Sequence, residues 1–343
     1  MRTPRAFITP VVALAAAALV GCGGASDSTE GGDDSSTAGD GARLSLVAYA
    51  VPKVGFDKVI PAFQKTEAGK GVTFAQSYGA SGDQSRKVES GLKTDFVNFS
   101  VEPDVTRLVE KGIVDEDWNS DANQTGLAFG STVVIVTRKG NPKNIEDWDD
   151  IIKPGIEVVT PNPFSSGSAK WNLLAPYALK SDGGKDVKSG LDYIGKLVGE
   201  HVKVQPKSGR EATETFLQGT GDVLLSYENE AIFLQDQGED VEFVTPPHTF
   251  KIENPVAVLN NSENPGAAKA FLEFNLSDEG QRIWADAGFR PSSPELLKEF
   301  ADKFPEPEKL WTIDDFGGWS TVNDELFEPE TGSIAKIYDD ATG

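Results

Sequence analysis

Strand-like and helix-like segments alternate along most of this chain, and that alternation restricts its fold more than any other feature. Short apolar runs typical of buried strands lie at residues 44–48, 72–76, 96–99, 132–137, 156–160, 202–204, 223–226, 242–245 and 255–259. Helix-like segments lie at residues 55–66, 85–91, 105–111, 145–152, 169–179, 187–198, 212–218, 228–235, 266–276 and 277–286. This alternation favours βαβ units with mostly parallel sheets. Because no repeat of roughly 20–50 residues recurs, a solenoid is excluded.

Residues 1–21 predict an export signal. Arg2 and Arg5 precede an apolar run at residues 11–20, which is too short for a stable membrane span. Residues 19–22 (LVGC) resemble a bacterial lipobox, so we expect Cys22 to carry lipid. An ordinary cleaved signal with a chance cysteine is the alternative. Residues 22–42 are rich in Gly, Ser and Asp and predict a flexible linker.

The chain is strongly acidic, with 54 acidic and 32 basic side chains and a net charge of −22. Such a surface repels nucleic acid and anionic lipid, so we expect neither to be recognised. It also repels free anions at long range, so any anion site must act through local dipoles and hydrogen bonds. A single cysteine allows no intrachain disulfide, and two scattered histidines argue against a metal site.

Residues 160–172 (TPNPFSSGSAKWN) have the composition of an oxyanion-binding turn. They follow an apolar run at residues 155–159 and lead into the helix predicted at residues 169–179. The first N–H groups of a helix lack intrahelical partners, and the helix dipole makes that end partly positive. Serine and glycine placed there can hold an oxyanion, although they are also ordinary helix caps.

Two other turns repeat this design. A strand at residues 72–76 leads through residues 77–82 into a helix, and a strand at residues 202–204 leads through residues 206–210 (PKSGR) into another. Ligands of open α/β sheets bind at the edge where such turns meet. Three turns at one edge favour a shared anion cradle over three unrelated caps.

Several segments resemble the bacterial sulfate-binding protein family. Residues 76–82 (QSYGASG) and 160–172 are similar to its two signature segments, and residues 138–143 (RKGNPK), 221–230 (GDVLLSYENE) and 316–319 (FGGW) also look like that family. The resemblance implies an α/β, two-lobed, hinged fold like the type II periplasmic binding proteins, with the ligand in the interlobe cleft. It also implies an extracytoplasmic protein that delivers sulfate, or thiosulfate, to an ABC importer.

The resemblance further implies which residues bind the dianion, all of them neutral and none a cofactor or metal ligand. They are Ser81 in the first lobe and, in the second, the hydroxyl of Ser166, the N–H groups of Gly167, Ser168 and Gly209, and the phenol of Tyr227. Arg210 braces the turn that holds Gly209.

Four positions depart from the family pattern. Ser168 replaces a common Gly, Phe164 and Lys170 replace the usual Lys and Arg, and Glu211 stands where Gly is usual. In addition, Tyr227 stands where many members have Trp. An ionised carboxylate buried against a dianion is strongly unfavourable, so we expect Glu211 to point outward.

We expect lobe 1 to comprise residues 43–122 and 249–327, and lobe 2 to comprise residues 123–248. The hinge is expected where the chain crosses between lobes, at residues 122–130 and 246–254. Residues 328–343 are expected to form a C-terminal tail. We expect a monomer, attached through its lipid to the outer face of the cell membrane.

Enzymatic functions fit the sequence poorly. The serines lack the Gly-x-Ser-x-Gly and Ser-x-x-Lys spacings of hydrolases, and neither His201 nor His248 lies in a motif. The Gly-Lys pairs are not followed by the Ser or Thr of a phosphate loop. The alternative that stays open is a receptor for another tetrahedral oxyanion: phosphate, molybdate or tungstate.

Packing roles are the simpler interpretation of several aromatic residues. We expect Trp148 to pack from an amphipathic helix at residues 145–152 and Trp171 to anchor its helix in the core. Residues 316–319 are expected to form a turn that clasps the C-terminal tail. A core role is also the alternative for Tyr227.

Overall fold

The computed structural model of this protein describes residues 41–119 and 126–342. The export signal at residues 1–21, Cys22 and nearly all of the linker at residues 22–42 lie outside the described residues. So does part of the first expected hinge segment. None of the described helices is long and apolar enough to cross a membrane.

Strands and helices alternate as the sequence predicts. The strands are β1 (Arg43–Tyr49), β2 (Thr73–Gly79), β3 (Phe96–Asn98), β4 (Leu127–Arg138), β5 (Val158–Val159), β6 (Val202–Val204), β7 (Val223–Tyr227), β8 (Val241–Val244), β9 (His248–Val258), β10 (Arg290–Pro291) and β11 (Lys309–Trp311). The α-helices are α1 (Lys53–Phe63), α2 (Ser81–Glu89), α3 (Pro103–Glu110), α4 (Gly167–Lys180), α5 (Val187–Lys196), α6 (Gly209–Leu217), α7 (Glu228–Asp236), α8 (Pro265–Leu276), α9 (Asp278–Asp286), α10 (Pro294–Glu299), α11 (Gly318–Val322) and α12 (Ser333–Thr342).

The main path of the sheet runs β2-β1-β3-β9-β4-β7-β5-β6. At one end β1 pairs in parallel with β2 and β3, and at the other β5 pairs in parallel with β6 and β7. The two strands between these groups run antiparallel to each other and to their neighbours β3 and β7. The expectation of mostly parallel sheets is therefore wrong for the middle of the path, where β4 and β9 lie.

The strands β4 and β9 connect the two parallel groups. The first half of β4 pairs with β9, whereas Val133 and the residues after it pair with β7. Likewise β9 pairs with β4 up to Pro255 and with β3 from Val256 onward. Each long strand thus changes its neighbour along its length, and its second half pairs with one of the two groups of strands.

Residues 145–152 do not form the expected helix but a series of turns. The Asn141 side chain accepts from the N–H of Ile145 and donates to its carbonyl, and the Asp150 carboxylate accepts from the N–H groups of Glu146 and Asp147. A helix starting at Ile145 would leave these first N–H groups unpaired but would use the Ile145 carbonyl, which the Asn141 amide occupies instead. Trp148 is fully buried even so, and its indole N–H donates to the carbonyl of His248 at 2.7 Å.

The C-terminal residues pack against the body of the protein. Trp319, after the left-handed pair Gly317 and Gly318, makes an edge contact with Trp171 at 4.6 Å between ring centroids. Helix α12 buries Ile334 and Tyr338. The expected C-terminal tail at residues 328–343 therefore carries an amphipathic helix that covers part of the core.

Candidate functional site

Each of the three predicted turns ends in the first residue of a helix. Ser81 begins α2 after β2, Gly167 begins α4 after β5, and Gly209 begins α6 after β6. In the described part of the chain, the N–H groups of Gly167, Ser168 and Gly209 meet no protein acceptor. The helix starts thus present free donors together with the positive ends of their dipoles.

The serine hydroxyl groups of the α4 turn do not cap the helix. Ser166 precedes the helix in an extended conformation, but its side chain does not accept from the helix backbone. Instead the Oγ atoms of Ser166 and Ser168 lie 2.7 Å apart, and both residues are buried. Ser208 differs, because its Oγ accepts from the N–H of Glu211 and caps α6. Simple capping therefore explains Ser208 but not Ser166.

The α4 and α6 turns lie side by side. The Ser165 hydroxyl donates to the carbonyl of Lys207 at 2.8 Å, and the N–H of Asn162 donates to the carbonyl of Pro206 at 2.9 Å. A Cβ atom added to Gly209 would lie 2.9 Å from Ser168 Oγ. Only glycine leaves this close approach undisturbed.

Ser100, which follows β3, joins the turns of the two groups of strands. Its hydroxyl lies 2.7 Å from the hydroxyl of Tyr227, and its N–H donates to Ser81 Oγ at 2.9 Å. A Cβ atom on Gly167 would lie 2.8 Å from Ser100 Cβ. Together these contacts bring Ser81, Gly167 and Tyr227 around one buried serine.

Two residues of this site, Ser100 and Asp104, were not predicted from the sequence. Ser81 Oγ donates to Asp104 Oδ2 at 2.6 Å, and the Arg107 guanidinium donates to Asp104 Oδ1 at 3.1 Å. Because the Ser81 hydroxyl is used in this way, its backbone N–H is the donor left for a ligand. One signal was present in the sequence, since Ser100 stands between a strand and Pro103, a favoured first helical residue.

Tyr227 lies at the junction of β7 and α7 and is 1% exposed. Burial raises the pKa of its phenol, which therefore stays protonated at any ordinary pH. Ser100 and the Asn254 amide are its side-chain neighbours, and the single O–H can donate to a ligand when the Ser100 hydroxyl donates to Tyr227.

Arg210 and Glu211 each have partners other than the free N–H groups. The Arg210 guanidinium forms a 3.2 Å ion pair with the buried carboxylate of Glu230 and stacks over Phe233. Glu211 is exposed, and its carboxylate accepts from the N–H of Lys207 at 3.1 Å. The expectation that Glu211 points outward is confirmed.

Residues of the two strand groups meet directly at these turns. The N–H of Gly82 donates to the carbonyl of Ser165 at 3.0 Å, and Arg210 reaches the carbonyl of Val51 at 3.5 Å. A cavity of about 140 Å³ beside the contact is lined by the turn residues and by Arg86, Arg107 and Lys170. The turns are thus closed over one another in this conformation.

Lys170 lines that cavity three residues into α4. Its ammonium donates to Asn323 Oδ1 at 2.7 Å and lies 5.1 Å from the centre of the Phe327 ring. Burial lowers the pKa of Lys170 to about 8. The amine is therefore held by the C-terminal region rather than by the serine and glycine turns.

The described residues do not support a metal site or a catalytic histidine. No group of three or more His, Cys, Asp or Glu side chains among them could hold a metal ion. Of the two histidines, His201 is buried with Nδ1 3.0 Å from the carbonyl of Ile156. Neither histidine is bonded to the site serines.

Known proteins with similar sequences or structures agree with this arrangement of elements. A model of the family described as bacterial extracellular solute-binding protein matches residues 44–290. A sulfate-binding protein of Synechococcus elongatus is 36% identical over 95% of this chain and 94% of its own. A thiosulfate-binding protein of Pseudomonas aeruginosa is 36% identical over 86% of this chain and 92% of its own. The solved structure of the sulfate-binding protein SubI from Mycobacterium tuberculosis H37Rv is 59% identical, with a TM-score of 0.82, and covers 84% of this chain and 100% of its own.

Proposed function

Because this chain belongs to the bacterial extracellular solute-binding proteins, we propose that it captures sulfate and delivers it to an ABC importer. It is a binding protein and not an enzyme. One observation carries the proposal: the starts of α2, α4 and α6 meet at a buried point lined by neutral hydroxyl and N–H groups. A desolvated dianion can be held there by oriented dipoles and hydrogen bonds.

The proposed ligand groups are the N–H groups of Ser81, Gly167, Ser168 and Gly209 and the hydroxyls of Ser166 and Tyr227. All of them can donate, and sulfate at neutral pH has only acceptor oxygens, so the set is complementary to it. Arg210 supports the Gly209 turn while its charge is offset by Glu230. The positions of these donors support direct binding without a counter-cation.

Calorimetric titration of the protein with a panel of oxyanions tests the proposal. We expect sulfate to bind at micromolar concentration or below, with thiosulfate as the nearest competitor. Phosphate keeps a proton at neutral pH, and a proton left unpaired in a closed site costs about 1–3 kcal/mol or more. Phosphate should therefore bind roughly a hundredfold more weakly, a difference of about 2.7 kcal/mol.

The panel also decides between sulfate and the other tetrahedral oxyanions. If phosphate, molybdate or tungstate binds more tightly than sulfate and thiosulfate, the sulfate assignment is wrong and the oxyanion class remains. If none of these anions binds, the cradle interpretation itself is wrong. Glu211→Gln is a matched control, because an outward carboxylate should leave the order of affinities unchanged.

The two-lobed organisation supports binding by closure. We propose lobe 1 as residues 43–122 and 249–327, lobe 2 as residues 123–248, and hinges at residues 122–130 and 246–254. The long strands β4 and β9 begin within these two segments and pass between the two strand groups. Closure would remove water from the anion and strengthen each hydrogen bond.

We also propose that Cys22 carries lipid and holds a monomeric protein at the outer face of the cell membrane. The support is the LVGC segment followed by a polar linker. Cys22→Ala should move the protein from the membrane fraction to the soluble fraction. A variant as membrane-bound as the parent would rule out the anchor. Light scattering of the released protein measures its mass and so tests whether it is a monomer.

A further inference from the structure

Tyr49 carries a buried hydroxyl group without a partner. The residue is 3% exposed, and the described part of the chain offers its OH no hydrogen-bond acceptor or donor. A buried polar group in a native protein is normally satisfied by the protein, by ordered water or by a ligand. The phenol of Tyr49 therefore points to a partner that the polypeptide does not supply.

The position of Tyr49 matches that of the proposed site residues. It is the last residue of β1, where it pairs with Gly79 of β2, and the preceding residue pairs with Asn98 of β3. Ser81 follows β2 and Ser100 follows β3. Because β1, β2 and β3 are parallel, these three side chains leave the same edge of the sheet.

The turn after Tyr49 also contacts the second strand group. The carbonyl of Val51 is 3.5 Å from the Arg210 guanidinium, and Val51 Cγ2 would be 3.2 Å from a Cβ atom on Gly209. Burial raises the pKa of the Tyr49 phenol, and the nearby Tyr227 and Glu230 raise it further. Tyr49 thus lies close to Tyr227, and the residues after it reach the start of α6 at Gly209.

We propose that Tyr49 is a further ligand-binding residue, whose phenol O–H donates to the oxyanion held by the three helix starts. This inference rests on the proposed function and extends its set of donors. A neutral donor from β1 would give lobe 1 a side-chain contact with the ligand, since the Ser81 hydroxyl is already bonded to Asp104.

Tyr49→Phe removes the hydroxyl and keeps the ring. We expect sulfate affinity, measured by calorimetry on the full chain, to fall about tenfold or more, since a hydrogen bond to a charged group is lost. We expect the melting temperature without ligand to be unchanged or higher, because the variant loses an unsatisfied buried group. Tyr193→Phe is the matched control: its buried hydroxyl donates to the carbonyl of Trp148, so it should lower the melting temperature and leave affinity unchanged.

Two results would overturn the assignment of Tyr49. One is an unchanged sulfate affinity in Tyr49→Phe while the parent binds sulfate. The other is a loss of affinity that disappears in a Glu230→Gln background, which would show that Tyr49 acts through Glu230. If the parent binds none of sulfate, thiosulfate, phosphate, molybdate and tungstate, the proposed function fails first and this inference fails with it.

Discussion

The Gly209 N–H can be removed without removing the helix that carries it. Gly209 is the first residue of α6, and proline is well tolerated there because that N–H has no intrahelical acceptor. The preceding residue, Ser208, has φ −137° and ψ 162°, the extended conformation that a following proline requires. Gly209→Pro should therefore keep α6 and delete one backbone donor.

Comparison with Gly209→Ala separates the effect of losing the N–H donor from the effect of adding a Cβ atom. Either substitution places a Cβ atom 2.9 Å from Ser168 Oγ and 3.2 Å from Val51 Cγ2, so both variants meet this Cβ crowding, to which proline adds the rest of its ring. Only the proline lacks the N–H. A hydrogen bond to a charged group contributes about 1.5–3 kcal/mol, so the proline variant should bind sulfate roughly ten- to a hundredfold more weakly than the alanine variant.

Calorimetry on the two variants measures that ratio, and circular dichroism checks that the helix content is the same. The proline ring also occupies space next to the ligand, so the expected ratio is a lower limit. Equal affinities for Gly209→Pro and Gly209→Ala would refute the assignment of this N–H to the ligand. It would also weaken the interpretation of α6 as part of the cradle.

Three further substitutions test closure, the phenol and the buried amine. Gly167→Ala should prevent full closure and weaken sulfate binding, because its Cβ atom would lie 2.8 Å from Ser100 Cβ, whereas Gly195→Ala, which meets open space, should not. Tyr227→Phe should weaken binding about ten- to a hundredfold, and the effect of Ser100→Ala should shrink in that background, as a double-mutant cycle by calorimetry would show. The pKa of Lys170 is lowered, so the folded state binds fewer protons than the unfolded state above pH about 8. Relative to Lys170→Met, the parent should therefore gain stability as the pH rises from about 8 toward about 10.4. Denaturant unfolding at several pH values measures this gain.

Local sequence patterns were sufficient to find the turns and the α/β class, whereas the periplasmic-binding-protein-like fold was implied by the resemblance to sulfate-binding proteins. A strand followed by Ser and Gly predicts a helix start, and the structure has helix starts at Ser81, Gly167 and Gly209. The expected α/β, periplasmic-binding-protein-like fold is confirmed by the sheet and by the likeness to a solved sulfate-binding protein. These features could be predicted because each depends on residues close together in the chain.

Features that depend on distant residues could not be predicted. Ser100 can be assigned to the site only from its contact with Tyr227, which lies 127 positions later in the chain. The unpaired hydroxyl of Tyr49 is visible only once its surroundings are known. The antiparallel direction of β4 and β9 follows from how the chain passes between two strand groups, which a single strand pattern does not record.

The wrong helix at residues 145–152 has a different cause. Ile145, Trp148 and Ile151 recur at the spacing of a helix face, and all three are buried as that pattern requires. However, Asn141 and Asn144 adopt positive φ, and polar side chains capture the backbone groups that follow. The apolar pattern predicted burial correctly, while the polar residues between decided the backbone conformation.

If the proposed cradle holds an anion, the charged residues around it explain why helix dipoles would have to contribute. Three arginines near the turns have carboxylate partners: Arg86 has Asp83, Arg107 has Asp104 and Arg210 has Glu230. These pairs stiffen the turns but leave little net positive charge for an anion, on a chain whose net charge is −22. Helix dipoles act over about one turn and are strongest where water is excluded. The proposed function therefore predicts that binding depends on closure, because the closed turns combine the three helix starts with the hydroxyls of Ser166 and Tyr227.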